Sequence, residues 1–180
     1  MGRAIGRAMP RRHPSIRSPA YPAIWLMTDE RMGESLWDAL ERLPSGAGVI
    51  FRHYGAALHE RRALYAKVAQ VARRRRLLLI LAGPGGEHNQ RVATFTAAAH
   101  SRREAIAAIR AGAQLLFVSP VFETRSHAGA QTLGRARLGL LIRGLDVPVI
   151  ALGGMDARKA RSLKQLGIYG WAAIDAWSRN

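Results

Sequence analysis

The sequence predicts a TIM-type parallel (β/α) barrel between about residues 23 and 177, and three observations favour it. Seven short apolar runs alternate with amphipathic stretches. The runs are apolar at consecutive positions, which is typical of parallel strands covered on both faces. Polar residues directly follow many of the runs, and a barrel collects its active site at these carboxyl ends of its strands.

The apolar runs are the predicted strands, and they cover residues 23–27, 48–51, 77–82, 92–97, 115–118, 147–152 and 170–174. A closed barrel of this type needs eight strands. Residues 82–91 leave room for a loop and one short helix only, so we expect the fourth βα unit to be shortened or absent. A doubly wound sheet fits the same alternation, but no G-x-G-x-x-G motif follows the first run.

Five amphipathic stretches between these runs predict helices over residues 34–43, 60–75, 102–111, 135–143 and 156–166. Several carry signals for where a helix begins or ends. Ser101 precedes Glu104 by three positions, which is the spacing of a capping box. Gly112 and Gly167 stand where helices commonly end on a glycine in the left-handed conformation.

Composition limits the classes of protein that the chain can belong to. Its 180 residues are 48% hydrophobic with a mean hydropathy of −0.08, which suits one folded domain. No apolar run approaches the roughly 18 residues that a membrane helix needs. Because the sequence contains no cysteine, disulfides, thiolate zinc sites and cysteine nucleophiles are excluded. We therefore expect a cytoplasmic protein without a membrane partner.

The formal net charge of +16 raises the possibility of a nucleic-acid partner. The arginines are spread along the chain, and the run 73–76 ends a predicted helix, where cations complement the helix dipole. We therefore expect no specific nucleic-acid binding. Residues 1–22 contain five arginines, four prolines and no acidic residue, so we expect a basic disordered tail, followed by one domain over residues 23–180.

One loop carries more chemistry than its neighbours. The passage SPVFETRSHAGAQTLG places hydroxyls, a guanidinium and an imidazole just after the run at 115–118. Together with WLMTDER, VIFRHYG, AAAHSRREA, VPVIALGGM and GWAAIDAW, in that order, it resembles the thiamine phosphate synthase and thiazole tautomerase (TenI) family. PVFET and PVIALGGM are specific as a pair. The chain is identified as a member of this family from about residue 23 to residue 177.

The resemblance implies a thiamine phosphate synthase-like barrel and a role for several residues. Arg52 matches an arginine on the side of the pyrimidine and diphosphate. Six residues match those that contact the phosphate of the thiazole substrate: Thr124, Ser126, Gly153, Gly154, Ile174 and Asp175. Barrels commonly bind phosphate in the loops after their last two strands and at a helix N-terminus, which supports this assignment. An ordinary tight turn between strand and helix is the alternative for the two glycines.

The chain departs from the family at the metal site. The resemblance implies that a synthase uses Mg²⁺, held by acidic residues and an asparagine after its third and fourth strands. Here Ala82 and Gly83 follow the third strand, and the fourth unit is lost. Glu87, His88 and Asn89 are alternative ligands whose spacing does not decide the matter. If the protein is a synthase, we expect Mg²⁺, but the sequence does not identify its ligands. If it is a tautomerase, we expect no cofactor.

His100 comes just after the run predicted at 92–97 and before a predicted helix, where the resemblance implies the catalytic histidine of a tautomerase. A neutral imidazole can shuttle protons at carbon without a metal. The alternative is a histidine that caps the next helix or hydrogen-bonds a loop. We expect His53 and His127 at the rim of the barrel, outside the catalytic set.

Three functions stay open. The first is a synthase that joins hydroxymethylpyrimidine diphosphate to thiazole phosphate carboxylate and releases diphosphate, with Arg52 as the catalytic cation. The second is a thiazole tautomerase with His100 as its acid–base catalyst. The third is a non-catalytic barrel that binds thiazole phosphate. The expected partners are these small molecules, and the sequence does not specify the oligomeric state.

Overall fold

A computed structural model of the chain describes residues 21–83, 96–124, 129 and 131–177. Within these ranges it contains seven β-strands: β1 (Ile24–Met27), β2 (Gly48–Phe51), β3 (Leu78–Leu81), β4 (Thr96–Ala99), β5 (Leu115–Val118), β6 (Val149–Leu152) and β7 (Gly170–Ala173). The tail was predicted to be disordered over residues 1–22, and residues 1–20 of it lie outside the described ranges.

All described strand pairs are parallel, and the strands follow the order β3-β2-β1-β7-β6-β5-β4. The first strand pairs with the last, so that Ile24 lies opposite Trp171. Every other pair joins strands that are consecutive in the chain. This is the order of a barrel that is open between β3 and β4 in the part of the chain that the structure describes.

The sheet curls, as its core shows. Six strands (β1, β2, β3, β5, β6 and β7) contribute side chains to one buried cluster, which includes Trp25, Ile50, Ile80, Phe117 and Ile150. Because side chains alternate between the two faces of a strand, so many strands can share one cluster only when the same face turns inward. The rings of Trp25 and Phe117 meet edge to face, with centroids 5.2 Å apart. The predicted barrel-type α/β fold is confirmed.

Five α-helices cover the outside of the sheet in the described ranges: α1 (Ser35–Arg42), α2 (Leu58–Arg75), α3 (Arg102–Arg110), α4 (Gly134–Ile142) and α5 (Ala157–Leu163). Short 3-10 turns occupy Glu30–Met32, Lys164–Leu166 and Asp175–Trp177. Two further buried clusters lie between the sheet and these helices. In this part of the chain, no helix has both the length and the apolar character needed to cross a membrane.

The strand predicted at residues 92–97 ends two residues later than expected. Pairing with β5 extends β4 to Ala99, which lies opposite Val118. The alanines there are apolar but small, so the hydropathy pattern did not mark the end of the strand. Residues 92–95 lie outside the described ranges.

The signals predicted at Ser101, Gly112 and Gly167 agree with the structure. The Ser101 hydroxyl accepts a hydrogen bond from the Glu104 backbone N–H (3.2 Å) and donates one to Glu104 Oε1 (3.0 Å). Gly112 and Gly167 follow their helices with φ values of 95° and 90°, which a glycine adopts without strain. Strand β4 and helix α3 are therefore joined by a short, well-capped turn that fixes the position of His100.

Candidate functional site

The predicted site residues gather at one end of the sheet, because the carboxyl ends of parallel strands point the same way. Thr28 and Asp29 follow β1, Arg52 and His53 follow β2, and His100 follows β4. Thr124 lies after β5, Gly153 and Gly154 after β6, and Ile174 and Asp175 after β7. Ser126 and His127 lie outside the described residues.

Arg52 is held rigidly at this end of the sheet. Its Nε donates to the Thr28 carbonyl oxygen (2.7 Å), and its Nη2 donates to Asp29 Oδ2 (3.0 Å). Its backbone N–H donates to the Thr28 hydroxyl (3.0 Å). Burial lowers the pKa of Arg52, and the charge of Asp29 opposes that effect. The guanidinium stays charged and has one fixed orientation, which suits it to bind an anion.

Asp29 is the carboxylate that organises this corner, and sequence reasoning gave it no role. Arg31 donates to it three times, from Nε to Oδ1 (2.6 Å), from Nη2 to Oδ2 (2.8 Å) and from its backbone N–H to Oδ1 (3.1 Å). These bonds lower its pKa from 3.8 to about 2, while burial opposes the effect and Arg52 adds a smaller contribution. Asp29 is thus ionised at neutral pH. In the sequence, the feature that could have indicated this role is the position of Asp29 just after the first strand.

His53 was expected at the rim, and the structure corrects this. The side chain is buried, stacks on Phe51 with ring centroids 4.8 Å apart, and places Nδ1 3.0 Å from the Thr28 hydroxyl. The positive φ of 40° at this residue turns the ring toward the helices. Burial lowers the pKa of His53, so the imidazole is neutral near pH 7. The ring also lines a cleft of about 630 Å³ between α1 and α2, beside Trp37.

His100 is exposed at the end of β4, and its ring contacts the segment that follows β5. Its Nδ1 lies 2.8 Å from the Ser119 carbonyl oxygen and 3.3 Å from the Ser119 hydroxyl. A carbonyl oxygen only accepts, so Nδ1 carries a proton. In the neutral ring, Nε2 is then the basic nitrogen. The loop hydrogen bond of the alternative interpretation is present, and it also leaves Nε2 able to accept a proton.

The two glycines after β6 lie directly against the segment after β5. A Cβ atom on Gly153 would come within 2.8 Å of Pro120 Cα, and one on Gly154 within 2.1 Å of the Glu123 carbonyl oxygen. Both residues have positive φ, 95° and 58°. Close packing of two loops and the positive φ values therefore require glycine at both positions. Their contact with a phosphate stays a prediction.

Lys159 adds a cation at the same turn, and sequence reasoning missed it. Its Nζ donates to the Gly154 carbonyl oxygen (2.5 Å) and lies 5.3 Å from the centre of the Phe122 ring. Its backbone N–H donates to the Asp156 carboxylate (2.7 Å), which caps α5. In the sequence, Lys159 is marked only as a lysine three residues after the helix cap Asp156. That pattern is common in helices whose lysine does not lie near a binding site.

Comparison with known proteins agrees with this architecture. Residues 89–177 match the family model for thiamine monophosphate synthase (TMP-TENI). The chain is 38% identical over 76 residues to a putative thiamine-phosphate synthase 2 of Aquifex aeolicus, covering 42% of this chain and 41% of that protein. It is 32% identical over 80 residues to the thiamine-phosphate synthase of Pyrococcus furiosus, covering 44% and 39%. The matches thus span about two fifths of the length of these relatives.

A solved structure extends the similarity to nearly the whole fold. Thiamine phosphate pyrophosphorylase from Pyrococcus furiosus superimposes with a TM-score of 0.70 over 85% of each chain, at 22% sequence identity. Over residues 89–177 the chain is similar to the thiamine monophosphate synthase (TMP-TENI) family. The matched residues include His100, Gly153 and Asp175. Arg52 and Asp29 lie before them.

A Mg²⁺ site would need acidic or histidine side chains that come together at the mouth of the barrel. Within residues 21–83, 96–124 and 131–177, no three histidine or acidic side chains come close enough to share a metal ion. Asp29, a carboxylate near the mouth of the barrel, is already engaged by two guanidinium groups. Glu87, His88 and Asn89 lie outside the described residues. No chemical step is therefore assigned to a metal here.

Proposed function

We propose that this protein acts in thiamine biosynthesis, in the cytoplasm, as a thiamine phosphate synthase. In this reaction hydroxymethylpyrimidine diphosphate and thiazole phosphate carboxylate are joined, with release of diphosphate and of the carboxylate carbon as carbon dioxide. The named relatives and the shared fold support the proposal. The observation that carries it is the fixed Arg52 guanidinium at the carboxyl ends of β1 and β2, since departure of diphosphate develops negative charge that needs a cation already in place.

In this proposal Arg52 stabilises the leaving diphosphate, and Asp29 is its positioning residue. The electron pair of the breaking carbon–oxygen bond goes to the diphosphate, so negative charge grows on its oxygens. A guanidinium that is already oriented by Thr28 and Asp29 needs no rearrangement to meet that charge. Because Asp29 also binds Arg31, it cancels only part of the positive charge in this corner.

The thiazole phosphate is proposed to bind on the other half of the sheet, after β5, β6 and β7. The predicted contacts are Thr124, Ser126, Gly153, Gly154, Ile174 and Asp175. The turn after β6 has two backbone units with positive φ and a lysine ammonium group beside it, a combination that suits an anion. In the strand order, β1 and β7 separate this turn from Arg52.

A crossed experiment tests the proposal. Wild type, Arg52→Ala and His100→Ala are assayed for diphosphate release with both substrates, with and without EDTA. We expect Arg52→Ala to lower the synthase rate by about 100-fold or more and His100→Ala to have a small effect. Arg42→Ala, an exposed arginine of α1, is the matched control. The proposal fails if folded wild type releases no diphosphate with Mg²⁺ and both substrates present.

The geometry of His100 favours a tautomerase as the second candidate. Its Nδ1 donates to Ser119, so Nε2 is the nitrogen that can take a proton from carbon. If the protein is a tautomerase, wild type isomerises the thiazole without any pyrimidine, and His100→Ala lowers that rate by about 100-fold while thiazole phosphate still binds. If neither activity occurs, a non-catalytic phosphate-binding barrel is the remaining candidate.

A further inference from the structure

A second arginine lies at the same corner as Arg52. Arg61 belongs to the first turns of α2, yet its side chain returns to the carboxyl ends of β2 and β3. Its Nε donates to the Arg52 carbonyl oxygen (3.1 Å), and its Nη2 donates to the Ala82 carbonyl oxygen. The guanidinium carbon lies 5.6 Å from the centre of the Phe51 ring and 6.0 Å from that of Tyr54. These contacts fix the cation at the mouth of the barrel.

The guanidinium of Arg61 keeps unused binding capacity. Of its five N–H donors, these hydrogen bonds engage one on Nε and one on Nη2, and no carboxylate forms an ion pair with it among the described residues. Gly83 lies alongside, where even an added Cβ atom would stay 3.6 Å from Nη2. Arg52, in contrast, has Asp29 as its counter-ion. No carboxylate among the described residues therefore neutralises the charge of Arg61, and this charge can bind an external anion.

The two arginine charges act on the same place. Desolvation raises the pKa of the Tyr54 hydroxyl, whereas the charges of Arg52 and Arg61 both lower it. The Tyr54 hydroxyl is therefore close enough to the guanidinium groups of both Arg52 and Arg61 for each charge to affect its pKa. A diphosphate group spreads its charge over two phosphoryl units, and planar guanidinium groups bind such oxygens in pairs.

We propose that Arg61 is a second diphosphate-binding cation that acts together with Arg52. The inference rests on the proposed function, because it assigns a further residue to the diphosphate of the pyrimidine substrate. The two backbone carbonyl oxygens hold Arg61 in place, and its remaining N–H groups bind phosphoryl oxygens. Arg52 serves the same ligand from the end of β2.

Binding of inorganic diphosphate, measured by titration calorimetry at low salt, tests the assignment. The variants are Arg61→Gln, which removes the charge, and Arg61→Lys, which keeps the charge but cannot reproduce both carbonyl bonds. Arg62→Gln, at the next and exposed position of α2, is the control for a change of one charge. We expect Arg61→Gln to weaken diphosphate binding at least about tenfold, Arg61→Lys to stay within about threefold of wild type, and Arg62→Gln to leave it unchanged.

A folded Arg61→Gln variant with wild-type affinity overturns the proposal, and so does a Lys variant that is as weak as the Gln variant. If the Gln variant does not fold, Arg61→Met, which also removes the charge, takes its place: a loss of at least about tenfold supports the role, and wild-type affinity of the folded Met variant overturns it. Thiazole phosphate binding should be unchanged in the folded variants. Arg61-dependent diphosphate binding without synthase activity contradicts only the proposed function, and an active synthase that is indifferent to Arg61 contradicts only this inference.

Discussion

Replacing Asp29 by asparagine should destabilise the protein in a pH-dependent way. The carboxylate accepts hydrogen bonds from Arg31 and Arg52, and its side chain is only 14% exposed. The amide keeps the size of the side chain but loses the charge, so both guanidinium groups lose their counter-ion. The desolvation cost of Arg52, whose side chain is 20% exposed, is then no longer offset by a nearby negative charge.

The size of the effect follows from the pKa. A lowering from 3.8 to about 2 corresponds to about 2.4 kcal/mol in the free energy of unfolding. Arg31, the strongest partner, is 55% exposed and screened by solvent, so we expect about 1 to 2 kcal/mol at pH 7. A carboxylate whose pKa is lower in the folded state stabilises above its unfolded pKa. The difference between wild type and variant should therefore be constant above about pH 5 and shrink as the pH falls from about 4 towards 2.

Urea unfolding at pH 7 and at several values down to about pH 3 measures this difference. Asp38→Asn is the matched control, because Asp38 is 63% exposed and lies 3.9 Å from Arg42, so we expect less than about 0.5 kcal/mol there. Added salt should reduce the Asp29 effect in part. Equal stability of wild type and Asp29→Asn at pH 7, or a difference that grows as the pH falls below 4, would refute the reasoning.

Four further predictions concern packing, capping, titration and charge. Gly48→Ala should cost about 2 kcal/mol or more in thermal unfolding, because its Cβ would lie 2.1 Å from Cε3 of the buried Trp25, whereas Gly139→Ala on α4 should be neutral or stabilising. Ser101→Ala should lower the free energy of unfolding by about 1 kcal/mol through loss of the α3 cap, as urea titration can show. Burial lowers the pKa of His53, so the unfolded chain binds the proton more readily, and stability should fall as the pH drops below about 6.5; His53→Gln should weaken that dependence between pH 7.5 and 5.5. Any DNA binding should be independent of sequence and lost near physiological salt in a filter-binding assay, and a sequence-selective complex that survives there would contradict this.

The sequence by itself determined which strands and helices form and several of the signals at their ends. Consecutive apolar positions in runs such as 115–118 specify strands buried on both faces, and they reappear as strands in the structure. The cap at Ser101 and the glycine at 112 act within a few residues of themselves, so the local pattern contains all that is needed to recognise them. The position of polar residues after several strands could also be predicted, because it too depends only on residues that are close together in the chain.

Only the tertiary structure decided which of those polar residues meet. Asp29 and Arg52 are 23 positions apart and touch because β1 pairs with β2 in one particular register. The positive φ of His53 turns its ring from the rim into a buried stack, and Arg61 reaches the site from a helix, beyond the range of any strand pattern. Hydropathy and capping report interactions between near neighbours in the chain. Contacts between distant residues depend on register, backbone turns and side-chain length together, which a single sequence does not display.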